Sequence, residues 1–203
     1  MSSSRRSIVL TAALCAAAAG NVLAQSPAAS SCPPQFFLSG ELAADPSFET
    51  AGPAGPRTCW KNGDPAPAQS AADGWFMHTS NDADTVCSWL VPTTAPDPSG
   101  QKMLLFRAGG NEGGVYQYVN TSPNKSYMFS VWVFVRKGQV AIQSNDFVGG
   151  PVAWSTKQGE WEQLRVCNNS QFSANAMVVY NQDPNGGEFA VDRVEMREIS
   201  QLE

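Results

Sequence analysis

The stretch S-Y-M-F-S-V-W-V-F-V-R, residues 126–136, decides the fold. Successive side chains of a β-strand point to opposite faces of a sheet. Tyr127, Phe129, Val131, Val133 and Val135 then share one face, apolar and rich in β-branched groups as a core layer requires. Met128, Ser130, Trp132, Phe134 and Arg136 share the other, mixing aromatic rings with polar groups that an inner layer does not carry.

The same alternation extends to both sides. Before it, in G-V-Y-Q-Y-V-N, Val115, Gln117 and Val119 oppose Tyr116, Tyr118 and Asn120; after it, Val140 and Ile142 oppose Gln139, Ala141 and Gln143. Further strand patterns are F-F-L-S-G-E-L, G-W-F-M-H-T, T-V-C-S-W-L-V, K-M-L-L-F-R, W-E-Q-L-R-V-C, N-A-M-V-V-Y and E-F-A-V-D-R-V-E-M. The turns N-T-S-P-N-K, R-K-G-Q and D-P-N-G-G-E separate them, with Gly or Asn supplying positive φ and Pro presetting it. Many short strands, with no amphipathic helix between them, predict an all-β protein, an antiparallel jelly-roll β-sandwich. The Pro- and Gly-rich segment from Thr50 to Asp73 reads as a long irregular loop.

The chain has 203 residues. Arg5 and Arg6, an Ala-rich apolar run and V-L-A before Gln25 have the form of a signal peptide over residues 1–24, so a secreted protein, extracellular or periplasmic, is expected. Residues 25–35 read as a short linker and residues 36–203 as one domain. No later segment is apolar enough to form a transmembrane helix. Loss of the leader removes two arginines and no acid, so the formal charge moves from −5 to −7. Nucleic acid is thereby disfavoured, because phosphate binding is driven by Lys and Arg. A monomer is expected.

Four cysteines remain, an even count that fits two disulfides in an oxidising compartment. Three connectivities are open; the pairing expected is Cys59 with Cys87, stapling the long loop region, and Cys32 with Cys167. With no CxxC pair and His78 alone, zinc is disfavoured.

If the alternating faces coincide, one sheet surface carries Tyr116, Tyr118, Trp132, Arg136, Gln139 and Gln143. Sugars stack their C–H faces on rings and offer hydroxyls to amides and guanidinium groups, so this surface is the candidate polysaccharide site. Aromatics also fill half-buried sheet surfaces with no ligand at all. Trp60 and Trp89 are further ring candidates, whereas Trp75 and Trp161 read as packing.

The ordered motifs A-D-P-S-F-E (44–49), G-W (74–75), S-G-Q-K-M-L-L (99–105), G-G-V-Y-Q-Y-V (113–119), W-E-Q-L (161–164) and F-A-V-D-R-V-E-M (189–196) resemble the cenC-like carbohydrate-binding modules of the galactose-binding-like β-sandwich group. In that group an opening N-P-x-F-E and a closing V-D-x-V meet at one edge and hold a structural calcium. The resemblance implies Glu49 and Asp192 as carboxylate ligands, with backbone carbonyls from the opening motif and the loop near Gly100. Asp45 stands where the group has Asn. Calcium accepts several oxygen ligands in irregular geometry, and a carboxylate at a strand end needs such a partner or an arginine such as Arg193 or Arg197.

The acids Glu112, Asp146, Glu160 and Glu162 form no facing pair, the N-D-A-D run at 81–84 lacks the spacing of a calcium loop, and no G-x-S-x-G elbow exists. The expectation is a non-catalytic polysaccharide binder. A structural or adhesion sandwich and a polysaccharide lyase are the alternatives.

Overall fold

The structure is a computed structural model that describes residues 32, 37–80, 84–96, 100–110, 112–144 and 150–200. The signal peptide, the linker apart from Cys32, Asp146 and most of the 81–84 run lie outside the described residues.

Two six-stranded antiparallel sheets form, as the alternating pattern predicts. The first has the order β1 (Arg57–Lys61), β4 (Thr85–Pro92), β5 (Lys102–Ala108), β12 (Gly187–Ile199), β7 (Ser126–Lys137), β10 (Trp161–Asn169). The second has the order β2 (Ser70–Ala72), β3 (Trp75–His78), β6 (Gly114–Asn120), β11 (Ala174–Asn181), β8 (Val140–Ser144), β9 (Val152–Trp154). Their inner faces meet in one core. Phe129, Val131, Val133 and Val135 of β7 join Phe106, Phe189 and Val191 from the first sheet and Trp75, Met77, Val115, Ile142 and Val179 from the second. Burying one such side chain contributes about 1.5–3 kcal/mol, so this interdigitated layer is what holds the sheets together.

Two strand expectations need correction. Thr50 to Asp73 is not irregular: it holds β1, a 3-10 turn at 66–69 and β2. R-T-C-W-K qualifies as a strand because it finds a partner in β4, not because of its own propensity. Cys59 lies opposite Cys87 in that register, so their disulfide joins neighbouring strands instead of stapling a loop. Cys32 pairs with Cys167, completing the expected connectivity. Conversely, F-F-L-S-G-E-L forms no strand among the described residues beyond a bridge from Phe37 to Ile199. It still lies along β12, with Leu38 N–H donating to Glu198 O (2.8 Å) and Leu42 N–H to Met196 O (2.9 Å). At the interruption Glu41 Oε1 accepts from the N–H groups of Met196 (2.8 Å) and Ala43 (2.8 Å), so a side chain stands where a strand would offer a backbone carbonyl.

Glu188, at the start of β12, ties two neighbouring strands of the first sheet to its own. Its carboxylate accepts from Arg107 of β5 (2.7 Å) and Arg136 of β7 (3.0 Å). The bond from Arg107, with Arg136 behind it, holds the carboxyl below its ordinary value against partial burial. The arginine side chains are 62% and 52% exposed, so solvent screens the cluster and it stabilises by no more than about 1 kcal/mol. A depressed folded pKa gives stability that is present above the unfolded value, 4.5, and lost as pH falls through the folded value. Glu188→Gln is therefore expected to lower the urea midpoint at about pH 7 and to leave it unchanged at about pH 3.

Candidate functional site

β6 and β7 are consecutive, but they belong to different sheets, so the six residues expected on one surface are divided between opposite faces of the sandwich. Trp132 and Arg136 stand on the outer face of the first sheet; Tyr116, Tyr118 and Gln143 stand on the outer face of the second. Gln139 precedes β8, and its amide donates to Ser155 O (3.1 Å). The alternating faces do not coincide because the β6–β7 and β7–β8 connections cross between layers, and alternation within a strand carries no information about that.

The outer face of the second sheet is the more site-like of the two. Strand register aligns Phe76, Tyr116, Val178 and Gln143 in one row, Tyr118 beside Ala176 in the next, and Tyr180 beside Ala141 on the other side. Phe76 and Tyr116 lie 5.8 Å apart, Tyr116 and Tyr118 5.6 Å apart edge to face, and His78 meets Tyr116 at 6.4 Å. Between this ladder and Gln143 the floor consists of Ala176 and Val178, both buried, and Ala141 flanks Tyr180 on its other side. Short residues between tall ones make a trough. Tyr118 rises from it with 54% of its surface exposed.

The trough deepens at one end into a cleft of about 320 Å³ lined by His78, Glu112, Gln143, Val178, Tyr180 and Gln182. Burial holds the His78 imidazole below its ordinary pKa despite the nearby Glu112, so the ring is neutral around neutral pH. Burial likewise raises the Tyr180 and Tyr116 hydroxyls, which stay protonated donors. Tyr180 Oη reaches Gln143 Oε1 at 3.5 Å. The cleft thus offers neutral donors and acceptors beside ring faces, with Glu112 as the one charged group among its described lining residues. Sequence reasoning missed His78, Tyr180 and Gln182; the alternation of N-A-M-V-V-Y placed Tyr180 with Val178 and could have found it.

Of the tryptophans, Trp60 is buried in the core and is no surface ring. Trp75 is core, as expected. Trp89 is half-buried on the first sheet, with the guanidinium groups of Arg57 and Arg107 each 5.6 Å from its ring centre.

At the sandwich edge the opening and closing motifs do meet. Asp45, at φ 40°, accepts from the N–H groups of Glu49 (2.9 Å) and Thr50 (3.0 Å), a turn that suits Asp as well as Asn. A bulge in β12 after Asp192, with Arg193 at φ 46°, frees Val194 N–H to donate to Pro46 O (2.8 Å). Glu49 Oε1 sits over the 100–102 backbone, accepting from Gln101 (2.6 Å) and Lys102 (2.7 Å) N–H. A Cβ at Gly100 would lie 2.2 Å from that oxygen, so only glycine leaves room for the carboxylate. Asp192 is fully buried, bonded to Thr93 Oγ1 and, at 2.7 Å, to its neighbour Arg193 N–H, not to an arginine side chain. Burial raises its pKa, and the charge of Glu49 raises it further. The two carboxylates and the Thr93 hydroxyl are hard oxygen donors of the kind calcium takes, and the Lys102 ammonium, bonded to Glu49 O at 2.6 Å, stands at the same edge. Among the described residues no three His, Cys, Asp or Glu side chains converge on one point.

No protein-family model matches the chain, and no curated protein matches it in sequence. Solved structures match its fold. The CBM22-1 xylan-binding domain from Paenibacillus barcinonensis Xyn10C has a TM-score of 0.50 at 13% identity, over 85% of this chain and 100% of that one. The CBM22-1–CBM22-2 tandem of the same protein gives 0.52 at 14%, over 86% of this chain and 50% of that one. A cyclase from Fischerella sp. TAU, solved with an indolyl butanone, gives 0.50 at 10%, over 81% of this chain and 100% of that one. This chain also spans only 19% of the bacteriophage CBA120 tailspike protein 4 domain that it matches. Likeness at identities this low shows the β-sandwich fold and nothing about ligand. The cyclase shows that one architecture carries both binding and catalysis.

Proposed function

We propose that this is a secreted, non-catalytic glycan-binding domain whose ligand lies along the outer face of the β2–β3–β6–β11–β8–β9 sheet, with a structural calcium between Glu49 and Asp192. The observation that carries the reading is the trough: an aromatic ladder of Phe76, Tyr116 and Tyr118 beside a floor of small residues. Rings held by a rigid sheet present stacking faces at little entropic cost, and the amides of Gln143 and Gln182 suit sugar hydroxyls. Two disulfides fit an oxidising compartment, and among the described residues no helix is long and apolar enough to cross a membrane. The xylan-binding neighbour makes a glycan the first ligand to test.

Tyr118→Ala tests the reading, because that ring is the most exposed member of the ladder. Retention on the polysaccharides that the native domain holds, from a panel including xylan and β-glucans, is expected to weaken about tenfold with the melting temperature little changed. Equal retention by the variant, or no retention by the native domain on any glycan, would remove this face from consideration.

An enzymatic reading is supported by one feature, the presence of His78, Glu112 and Tyr180 together in the lining of the cleft. Incubating the domain with each retained glycan and following unsaturated or shortened products decides it; a lyase would generate them, and a binder leaves the polymer intact.

A further inference from the structure

The Cys59–Cys87 disulfide belongs to neither the trough nor the Glu49–Asp192 edge, and its setting follows from register. β1 is the outermost strand of the first sheet, and among the described residues β4 is its one strand partner. Cys59 and Cys87 lie directly opposite each other in that pair, so both side chains stand on the same face of the sheet. Trp60, the next residue, points the other way, into the core. The disulfide therefore stands on the outer face, with Cys59 exposed and Cys87 half-buried.

This bond joins residues that the ladder already holds side by side. Register pairs from Arg57 with Trp89 to Lys61 with Thr85 keep β1 against β4, and buried Trp60 anchors it to the core. Breaking the bond thus removes a tether and leaves the strand's own contacts in place. Cys32–Cys167 differs: it spans 135 positions against 28, and it ties a residue outside the sheets to β10, with both cysteines half-buried. Exposed disulfides are the labile ones, because exchange needs an incoming thiolate to reach a sulfur. The segment that β1 leads into gives its mobility a consequence. Thr58 Oγ1 donates to Ala68 O (3.2 Å) in the 3-10 turn, and Gln69 of that turn donates from Nε2 to Met77 O (2.9 Å) of β3. The Gln69 side chain also bonds the Tyr116 hydroxyl. Edge strand, turn and one ring of the trough are therefore in contact in series.

We infer that Cys59–Cys87 is a thiol-exchange site, at which a dithiol from solvent opens the bond while the sandwich stays folded and so loosens β1 and the turn that reaches Tyr116. The first thiolate of the dithiol attacks the exposed Cys59 sulfur; the Cys59–Cys87 bond breaks, a mixed disulfide forms, and Cys87 leaves as a thiolate. The second thiolate then attacks the dithiol's own sulfur in the mixed disulfide and releases Cys59. Two electrons pass to the protein, the dithiol ends as a disulfide, and its two protons end on Cys59 and Cys87. In an oxidising compartment the bond is closed at rest. That the loosening bears on a glycan rests on the function proposed above; the exchange itself does not.

Titrating the folded chain with dithiothreitol below its melting temperature, followed by alkylation and peptide mapping, reads each cysteine separately. Cys59 and Cys87 are expected to be labelled together, about tenfold or more faster than Cys32 and Cys167, with the near-ultraviolet circular dichroism of the folded state retained. Amide hydrogen exchange on the same sample is expected to quicken about tenfold over residues 57–69 and to stay unchanged in β7 and β12. The double variant Cys59→Ser, Cys87→Ser should show the same quickening with no dithiol present, its melting temperature serving as the control that it folds. Labelling of all four cysteines only as the fold is lost, earlier labelling of Cys32 and Cys167, or an opened bond with unchanged exchange over residues 57–69 would overturn the proposal. None of these readouts involves a glycan, so failure of the trough as a binding face leaves the exchange site standing.

Discussion

Trp75→Ala is expected to lower the unfolding free energy by about 3–5 kcal/mol, the range for deleting a large aromatic from a close-packed core. For a domain of this size that corresponds to a fall of about 6–20 °C in melting temperature. Trp75 is fully buried, packs on Phe48 at 5.2 Å, and donates from Nε1 to Ala44 O (3.1 Å). Truncation therefore opens a cavity between the sheets and also loosens the opening motif. Gln117, itself buried, is the second clamp on that motif, with Oε1 accepting from Ala44 N–H (2.7 Å) and Nε2 donating to Ala44 O (3.0 Å). Because this clamp survives, Trp75→Phe should cost far less, about 1–2 kcal/mol, keeping most of the packing and losing one bond. Urea titration reads both: a shifted midpoint with unchanged slope marks a loss of stability, whereas indistinguishable midpoints for native and Trp75→Ala would show that the core does not close over this ring.

What the chain reveals on inspection and what it hides divide along one line. Period-two alternation is a local property, so the core face of β7, the buried Trp75 and nearly every long strand can be read directly. Sheet membership is not local. Tyr118 and Trp132 are only fourteen positions apart, yet β6 pairs with β3 and β11 while β7 pairs with β10 and β12, all of them distant in sequence except through the fold. No feature of residues 121–125 announces that the chain changes layer there. Short partner-dependent strands fail for the same reason: V-A-W of β9 and R-T-C-W-K of β1 are strands because β8 and β4 lie beside them. The edge where Glu49 approaches Asp192 was legible only as an ordered set of motifs. Its physical logic, a glycine at 100 making room for a carboxylate and a bulge at 193 turning Val194 N–H toward Pro46, appears only when both ends of the chain are placed together.

That edge carries the other large expected effect. Without metal, Asp192 has a folded pKa above its unfolded value of 3.8, chiefly from burial and secondarily from Glu49. Between the two values the folded state binds more protons than the unfolded state, so stability falls as pH rises through that window. Calcium bound as proposed would reverse the sign, because it would hold the ionised pair in the folded state alone, and at a hundredfold excess over its Kd it would stabilise by about 2.7 kcal/mol. Asp192→Asn separates these effects. The amide can still accept from Arg193 N–H and donate to Thr93 Oγ1, so the bonds of the native carboxylate have counterparts while the repulsion with Glu49 disappears. In chelator near neutral pH the variant should melt at or above the native protein, and the difference should close near about pH 4 as the native carboxyl takes up its proton. With calcium the order should invert, the native protein gaining several degrees and the variant almost nothing. A native melting temperature indifferent to calcium and chelator alike, or a variant that keeps the full calcium response, would mean that Glu49 and Asp192 hold the two ends of the chain together without a metal.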